Sequence, residues 1–191
     1  NVIAFSAYGG ITIVSGTGHA VLGNQVYANG RPGIDLNDNG VTANDSGDGD
    51  TGTNNLQNYP VLTKAVTTGS LVQIAGTLNS KASSYFRVEF FASTSADSTA
   101  YGEGETYLGF VNVATNSAGN ATFDATFTAP LAVGACVSAT ATKSTSAYTT
   151  STDTSEFARN VTATLAPYSL RSTLALDPIG RSYEVILVDD G

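Results

Sequence analysis

The sequence predicts an all-β protein with two kinds of sheet, and three observations carry that expectation. Short strand-like segments near the N-terminus recur after 23 residues. Seven short alternating segments separated by turn residues fill the stretch from 59 to 165. Ser, Thr, Gly, Asn and Ala dominate a chain in which only 13% of residues are charged. Its 191 residues hold one domain or two small ones.

Residues 1–36 carry the repeat. Asn1-Val2-Ile3 returns as Asn24-Gln25-Val26, and Gly10-Ile11-Thr12-Ile13 returns as Gly33-Ile34-Asp35-Leu36. Such a period, with Gly and Asn at the turns, predicts terminal coils of a parallel β-helix, burying Ile, Val and Leu and stacking asparagines along the axis. His19 to Asn24 is expected as a further strand leading into a turn. A solenoid needs about three repeats and a cap, so two coils must meet missing coils, a neighbouring molecule or the following domain. The opening at Asn1, inside a repeat and without a methionine, suggests a processed product or an excised fragment.

Residues 37–58 form an Asp/Asn-rich joint. With the end of the last coil, Ile34 to Pro60 contains five aspartates, six asparagines and four glycines. Alone, such a stretch repels itself and stays disordered. A hard divalent cation would fold it, because calcium takes six to eight oxygen ligands. Asp35-Leu36-Asn37-Asp38-Asn39-Gly40 fits D-x-N-x-N-G, the start of an EF-hand-type loop. The match ends there: the twelfth loop position is Ser46, and no flanking helix pattern is visible. A second cluster, Asp45, Asp48 and Asp50, would close the same ion or bind another. The expected calcium ligands are therefore Asp35, Asn37, Asp38, Asn39, Asp45, Asp48 and Asp50. The competing reading is a solvated loop of Asx-turns.

Residues 59–165 read as an immunoglobulin- or fibronectin-III-like β-sandwich. Strands are expected over 61–65, 71–78, 85–92, 107–114, 121–127, 135–142 and 156–162. In 85–91, Phe86, Val88 and Phe90 face one way, and Arg87 and Glu89 the other, where an exposed ion pair would contribute little. Cys136, the single cysteine, reads as a buried free thiol. Lys64, Asn160 and Glu89 have the placement of surface sandwiches that crosslink Lys to Asn or Asp, but three ordinary surface residues are the favoured reading. Asn120-Ala-Thr and Asn160-Val-Thr fit the N-glycosylation acceptor pattern.

Several segments in order, GIDLNDNGVTANDSGDGDTGTNNLQNYPVL, IAGTLNS, FRVEFFAS, YGEGETYLGF, NSAGNATF and VSATATKSTSAYTTSTDTSEFA, resemble a module at the C-terminal side of right-handed parallel β-helix regions in large bacterial secreted or surface proteins. The likeness spans about residues 1–160. It implies an architecture, not a characterised activity. Family members often end the module in D-x-x-G-N-T-S-E-F; here Ser155-Glu156-Phe157 is kept behind a Ser/Thr/Tyr-rich insertion, which leaves the last hairpin open. Residues 166–191 fall outside the likeness and read as a C-terminal β extension with strands over 170–176 and 183–188 around Asp177-Pro178-Ile179-Gly180. They would extend a sheet, supply a strand to a neighbour or begin a further domain.

A net charge of −8 leaves no basic face for nucleic acid, and no apolar run is long enough to span a bilayer. The coil segment offers only His19, Arg31 and Asp35 to chemistry, His19 being the single histidine, so no enzyme activity is expected within these residues. Gly102-Glu103-Gly104-Glu105 reads as a loop with a minor cation site at most. The expectation is a secreted or surface-displayed structural or adhesive block: a stalk, or a filament subunit contacting its own copies as a homo-oligomer. Alternatives are the non-catalytic tail of a larger polysaccharide-acting β-helix enzyme, and a carbohydrate-binding module meeting surface glycans through Tyr8, Tyr27, Tyr101 or Tyr148.

Overall fold

The 23-residue offset becomes a pair of parallel ladders. In the computed structural model, which describes residues 1–167, β1 (Val2–Ala4) pairs parallel with β3 (Gln25–Tyr27), Ile3 opposite Val26. β2 (Ile11–Ile13) pairs in the same way with β4 (Ile34–Leu36), Ile11 opposite Ile34 and Ile13 opposite Leu36. Identical spacing in both pairs stacks each aliphatic on its mate one turn later. The stacked polar edge forms as well: Asn1 Nδ2 donates to Asn24 Oδ1 at 2.9 Å.

The chain then builds two larger sheets. β5 (Val61–Thr67), β6 (Leu71–Asn79) and β9 (Asn120–Thr128) are antiparallel neighbours, with β13 (Thr164–Leu165) parallel to β5 at the edge. β7 (Tyr85–Ser93), β8 (Thr106–Ala114) and β10 (Cys136–Ser144) form the second sheet, in which β11 (Ser151–Thr154) and β12 (Val161–Thr162) also pair with β10. Among the described residues the fold is all-β, and none of its sheets closes on itself. Between the two large sheets lies one apolar cluster. Val72, Ile74 and Leu78 of β6 meet Phe86, Val88 and Phe90 of β7 and Val137, Ala139 and Ala141 of β10. The period-two alternation read in 85–91 selects that face, and Phe86, Val88 and Phe90 are fully buried.

The opposite face of β7 is buried too, under the N-terminal ladders. Phe91 of β7 and Phe157 close a second apolar cluster with Ile13, Val26, Ile34 and Leu36. The two aromatic rings sit edge to face at 5.4 Å. The large sheets thus cover one side of the N-terminal ladders. Gly33 permits this approach: a Cβ there would lie 2.9 Å from Cε2 of Phe157.

Several local expectations change. Residues 19–24 are no strand; the N–H groups of His19, Val21 and Gly23 donate to the side chains of Asn54, Thr154 and Glu89 instead of a ladder. The strand expected over 156–162 is interrupted. β11 ends at Thr154, and Ala141 N–H donates to Ser155 Oγ at 2.9 Å in place of a carbonyl. The break turns Glu156 and Phe157 toward the coils. Cys136, at the first position of β10, is half-buried. The C-terminal β extension was expected over 166–191; its strands over 170–176 and 183–188 lie outside the described residues.

Candidate metal centre

Four acids of the large sheets and their loops hold the N-terminal segment, and two of them, Asp153 and Glu156, also reach the joint. Glu89, fully buried on β7, accepts Gly23 N–H at 2.8 Å and Arg87 Nε at 2.8 Å. Arg87 covers the Phe110 ring, 3.4 Å from its centroid. Of this pair Glu89 is fully buried and Arg87 half-buried, because the N-terminal segment lies over them. Asp153 accepts Gly18 N–H at 2.6 Å and Asn55 Nδ2 at 3.1 Å. Glu103 accepts the backbone and side-chain N–H groups of Asn29 at 3.1 and 2.9 Å. Glu156 bridges β4 and the joint, its two oxygens accepting Leu36 N–H at 2.8 Å and Thr42 N–H at 2.7 Å. Burial pushes the Glu156 carboxyl up to about 7, against the pull of those two bonds and with the Asp35 charge adding to the rise.

The seven candidate ligands separate into two groups. Asp35, almost wholly buried, turns its carboxylate back on its own loop and accepts Asn39 and Gly40 N–H, each at 3.1 Å. This is an Asx-type cap, the arrangement that competed with ion binding at this motif. Asn37 Oδ1 accepts the Thr53 hydroxyl at 3.0 Å. Asp38 points outward to Arg31 at 3.4 Å, with both side chains about half exposed. The Asn39 amide lies against the Leu36 and Gly40 carbonyls.

Asp45, Asp48 and Asp50 do converge: one carboxylate oxygen from each lies within 4.8 Å of the others. Gly47 and Asp48 both take positive φ, which folds the loop tightly enough to bring the three together. Asn58 organises it, accepting Asp45 N–H at 3.1 Å and donating to Asp45 O at 2.7 Å. Asn58 N–H also donates to Asp48 Oδ1 at 2.9 Å, and the Ser80 hydroxyl to Asp48 Oδ2 at 2.6 Å. Gly49 N–H reaches both Asp45 oxygens, at 2.9 and 3.2 Å.

The electrostatics are those of gathered like charges. Burial raises the Asp48 carboxyl above its ordinary value, against the hydrogen bonds from Ser80 and Asn58. Asp50 is raised by burial first and then by Asp45 and Asp48. Its Oδ1 is enclosed and has no hydrogen-bond partner among the described residues. An enclosed acceptor without a donor costs free energy, and a cation among the three carboxylates would satisfy it. An all-oxygen donor set suits a hard divalent ion, with backbone carbonyls and water completing the shell, and does not by itself separate calcium from magnesium.

Other candidates disperse. His19 bonds its own turn through Nε2 and Ser15 O at 3.2 Å. Lys64 Nζ sits on Gln73 Oε1 at 2.7 Å at the surface of β5, whereas Glu89 is buried on β7 in the other sheet. Asn160 is held by Gly102 O at 2.9 Å, and its own Oδ1 is enclosed, so its glycosylation motif is pinned; Asn120 is exposed. Sequence reasoning did not find Glu103, Asp153 and Glu156 as fastenings. Their one signal was an acid amid Ser, Thr and Gly without a basic neighbour. Among the described residues no helix is long and apolar enough to cross a membrane. Compared with the known protein families, the chain matches none, and no curated protein is significantly similar to it in sequence.

Proposed function

We propose that this chain is an extracellular structural or adhesive building block, secreted or displayed at a cell surface as a stalk element or filament subunit. In this reading residues 1–36 are the last coils of a right-handed parallel β-helix. Residues 59–165 are an immunoglobulin- or fibronectin-III-like sandwich, and a calcium ion at Asp45, Asp48 and Asp50 stiffens the joint between them. The observation that carries the reading is the docking of coil on sheet. Buried carboxylates and a shared aromatic cluster fasten two unlike β architectures along their length, the construction expected where load passes from one to the other. The edges of β1 and β2 that face away from β3 and β4 pair with nothing among the described residues. Open edges of this kind favour end-to-end contacts, which build fibres when the rotation does not close.

The test is a melting curve with and without EDTA, beside electron microscopy at high protein concentration. A chelator-induced drop of several degrees that calcium restores supports the joint, since an ion bound only by the native state must raise its stability. Monodisperse single molecules at every concentration, with calcium present, would overturn assembly.

A further inference from the structure

A cleft of about 560 Å³ lies between the coil turns and the loop after β7, within the usual size of a small-ligand site. Phe5 and Tyr27 form one side, edge to face at 5.7 Å. The opposite side carries the Ser/Thr-rich residues 93–98 with Asp97, Glu103 and Glu105, and no Lys or Arg among the described residues lines the cleft.

Two features set it apart from ordinary surface. Phe5 is 79% exposed and holds a positive φ of 61°, a backbone conformation that bulky residues rarely adopt. The turn geometry is a requirement of the coil, since Ala28, 23 residues on, has φ 53°. The aromatic ring is not: it is the wrong residue for both the backbone and the solvent at this position. Function explains such a choice where stability does not.

The second feature is a set of carboxylates, each fixed by one oxygen. Glu103 Oε1 is held by Asn29, Glu105 Oε2 by the N–H and hydroxyl of Thr94 at 3.1 Å each, and Asp97 Oδ1 by Thr99. Glu103 is more than nine-tenths buried, but its Oε2 opens to solvent and accepts nothing among the described residues, and Glu105 Oε1 and Asp97 Oδ2 are open in the same way. Oriented carboxylate oxygens without a counter-ion call for a cationic ligand. The exposed Phe5 ring beside a hydroxyl-lined wall favours a sugar ring over a bare amine.

We propose that this cleft binds an oligosaccharide bearing free amino groups, its ring lying on Phe5 and its ammonium groups on the open oxygens of Asp97, Glu103 and Glu105. The site is separate from the metal centre and does not depend on assembly. Titration calorimetry of the full chain at mildly acidic pH tests it with three probes: a β-1,4-glucosamine tetrasaccharide, its N-acetylated counterpart and tetralysine. The glucosamine oligomer should bind at least about tenfold more tightly than either of the others. Phe5→Gly should weaken it about tenfold while leaving Tm equal or higher, because glycine accepts the positive φ. Glu105→Gln should weaken it severalfold, by removing one charge while keeping the Thr94 contacts. Equal binding of tetralysine would reduce the cleft to an unselective cation sink. Equal binding of the N-acetylated sugar would show that charge is not read. No binding, or binding indifferent to Phe5→Gly, would overturn the proposal outright.

Discussion

Glu156→Gln should change how stability depends on pH, and the size of the change follows from where the carboxylate lies. Glu156 is 3% exposed and accepts the backbone N–H groups of Leu36 and Thr42. Its carboxyl titrates at about 7 in the folded chain, against an ordinary value of 4.5. The folded value lies above the unfolded one, so between them the native state holds the extra proton. Stability is therefore fully present below 4.5 and is lost as pH rises through 7. At 1.36 kcal/mol for each tenfold change in proton affinity, the loss is about 3 kcal/mol. The amide cannot titrate, and its NH2 group faces one of the two N–H donors, which costs about 1–3 kcal/mol at every pH. The variant should thus be less stable than the parent in acid and equal to it or more stable above neutrality. Urea denaturation followed by circular dichroism in EDTA measures the gap, and contributions of Asp48 and Asp50 cancel in the difference. A gap of the same size at both ends of the range would refute the reasoning, since Glu156 would then not be the group that titrates.

Three further outcomes are expected. Asp50→Asn should raise stability in EDTA, by relieving repulsion from Asp45 and Asp48, and should abolish most of the gain from calcium, a gain of about 2.7 kcal/mol at a hundredfold excess over Kd; thermal melts in the two buffers read this reversal of sign. Phe157→Ala should cost about 3–5 kcal/mol by emptying the cluster shared with Phe91 and Ile34, whereas Gly33→Ala, which drives a methyl into that ring, should cost about 1–3 kcal/mol; chemical denaturation ranks them. Glu89→Gln should cost about 2–3 kcal/mol, because the Arg87 guanidinium and Gly23 N–H lose a charged acceptor, and limited proteolysis should then cut first within residues 1–24.

The sequence by itself determined the register of the N-terminal ladders and the core-facing side of β7. Two aliphatic repeats 23 residues apart allow a single parallel register, because a shift by one residue would turn Ile3, Ile11 and Ile13 to the wrong side. Alternation in 85–91 likewise chose the buried side of β7. Within the joint, the density of Asp and Asn marked a segment that needs many hydrogen bonds or an ion, but not which oxygens meet. Asp35 and Asp45 head similar Asp/Asn/Gly strings. One caps its own loop and the other joins a carboxylate cluster, because only the second loop is pinned by Asn58 and Ser80, which are distant in sequence. Tertiary structure alone also decided that the far face of β7 is interior. A strand's pattern records which residues alternate, whereas burial of the polar side depends on what is laid across it. Here the N-terminal ladders lie across it, so Glu89 and Glu156, ordinary surface acids by local pattern, become the acceptors that hold the two halves together.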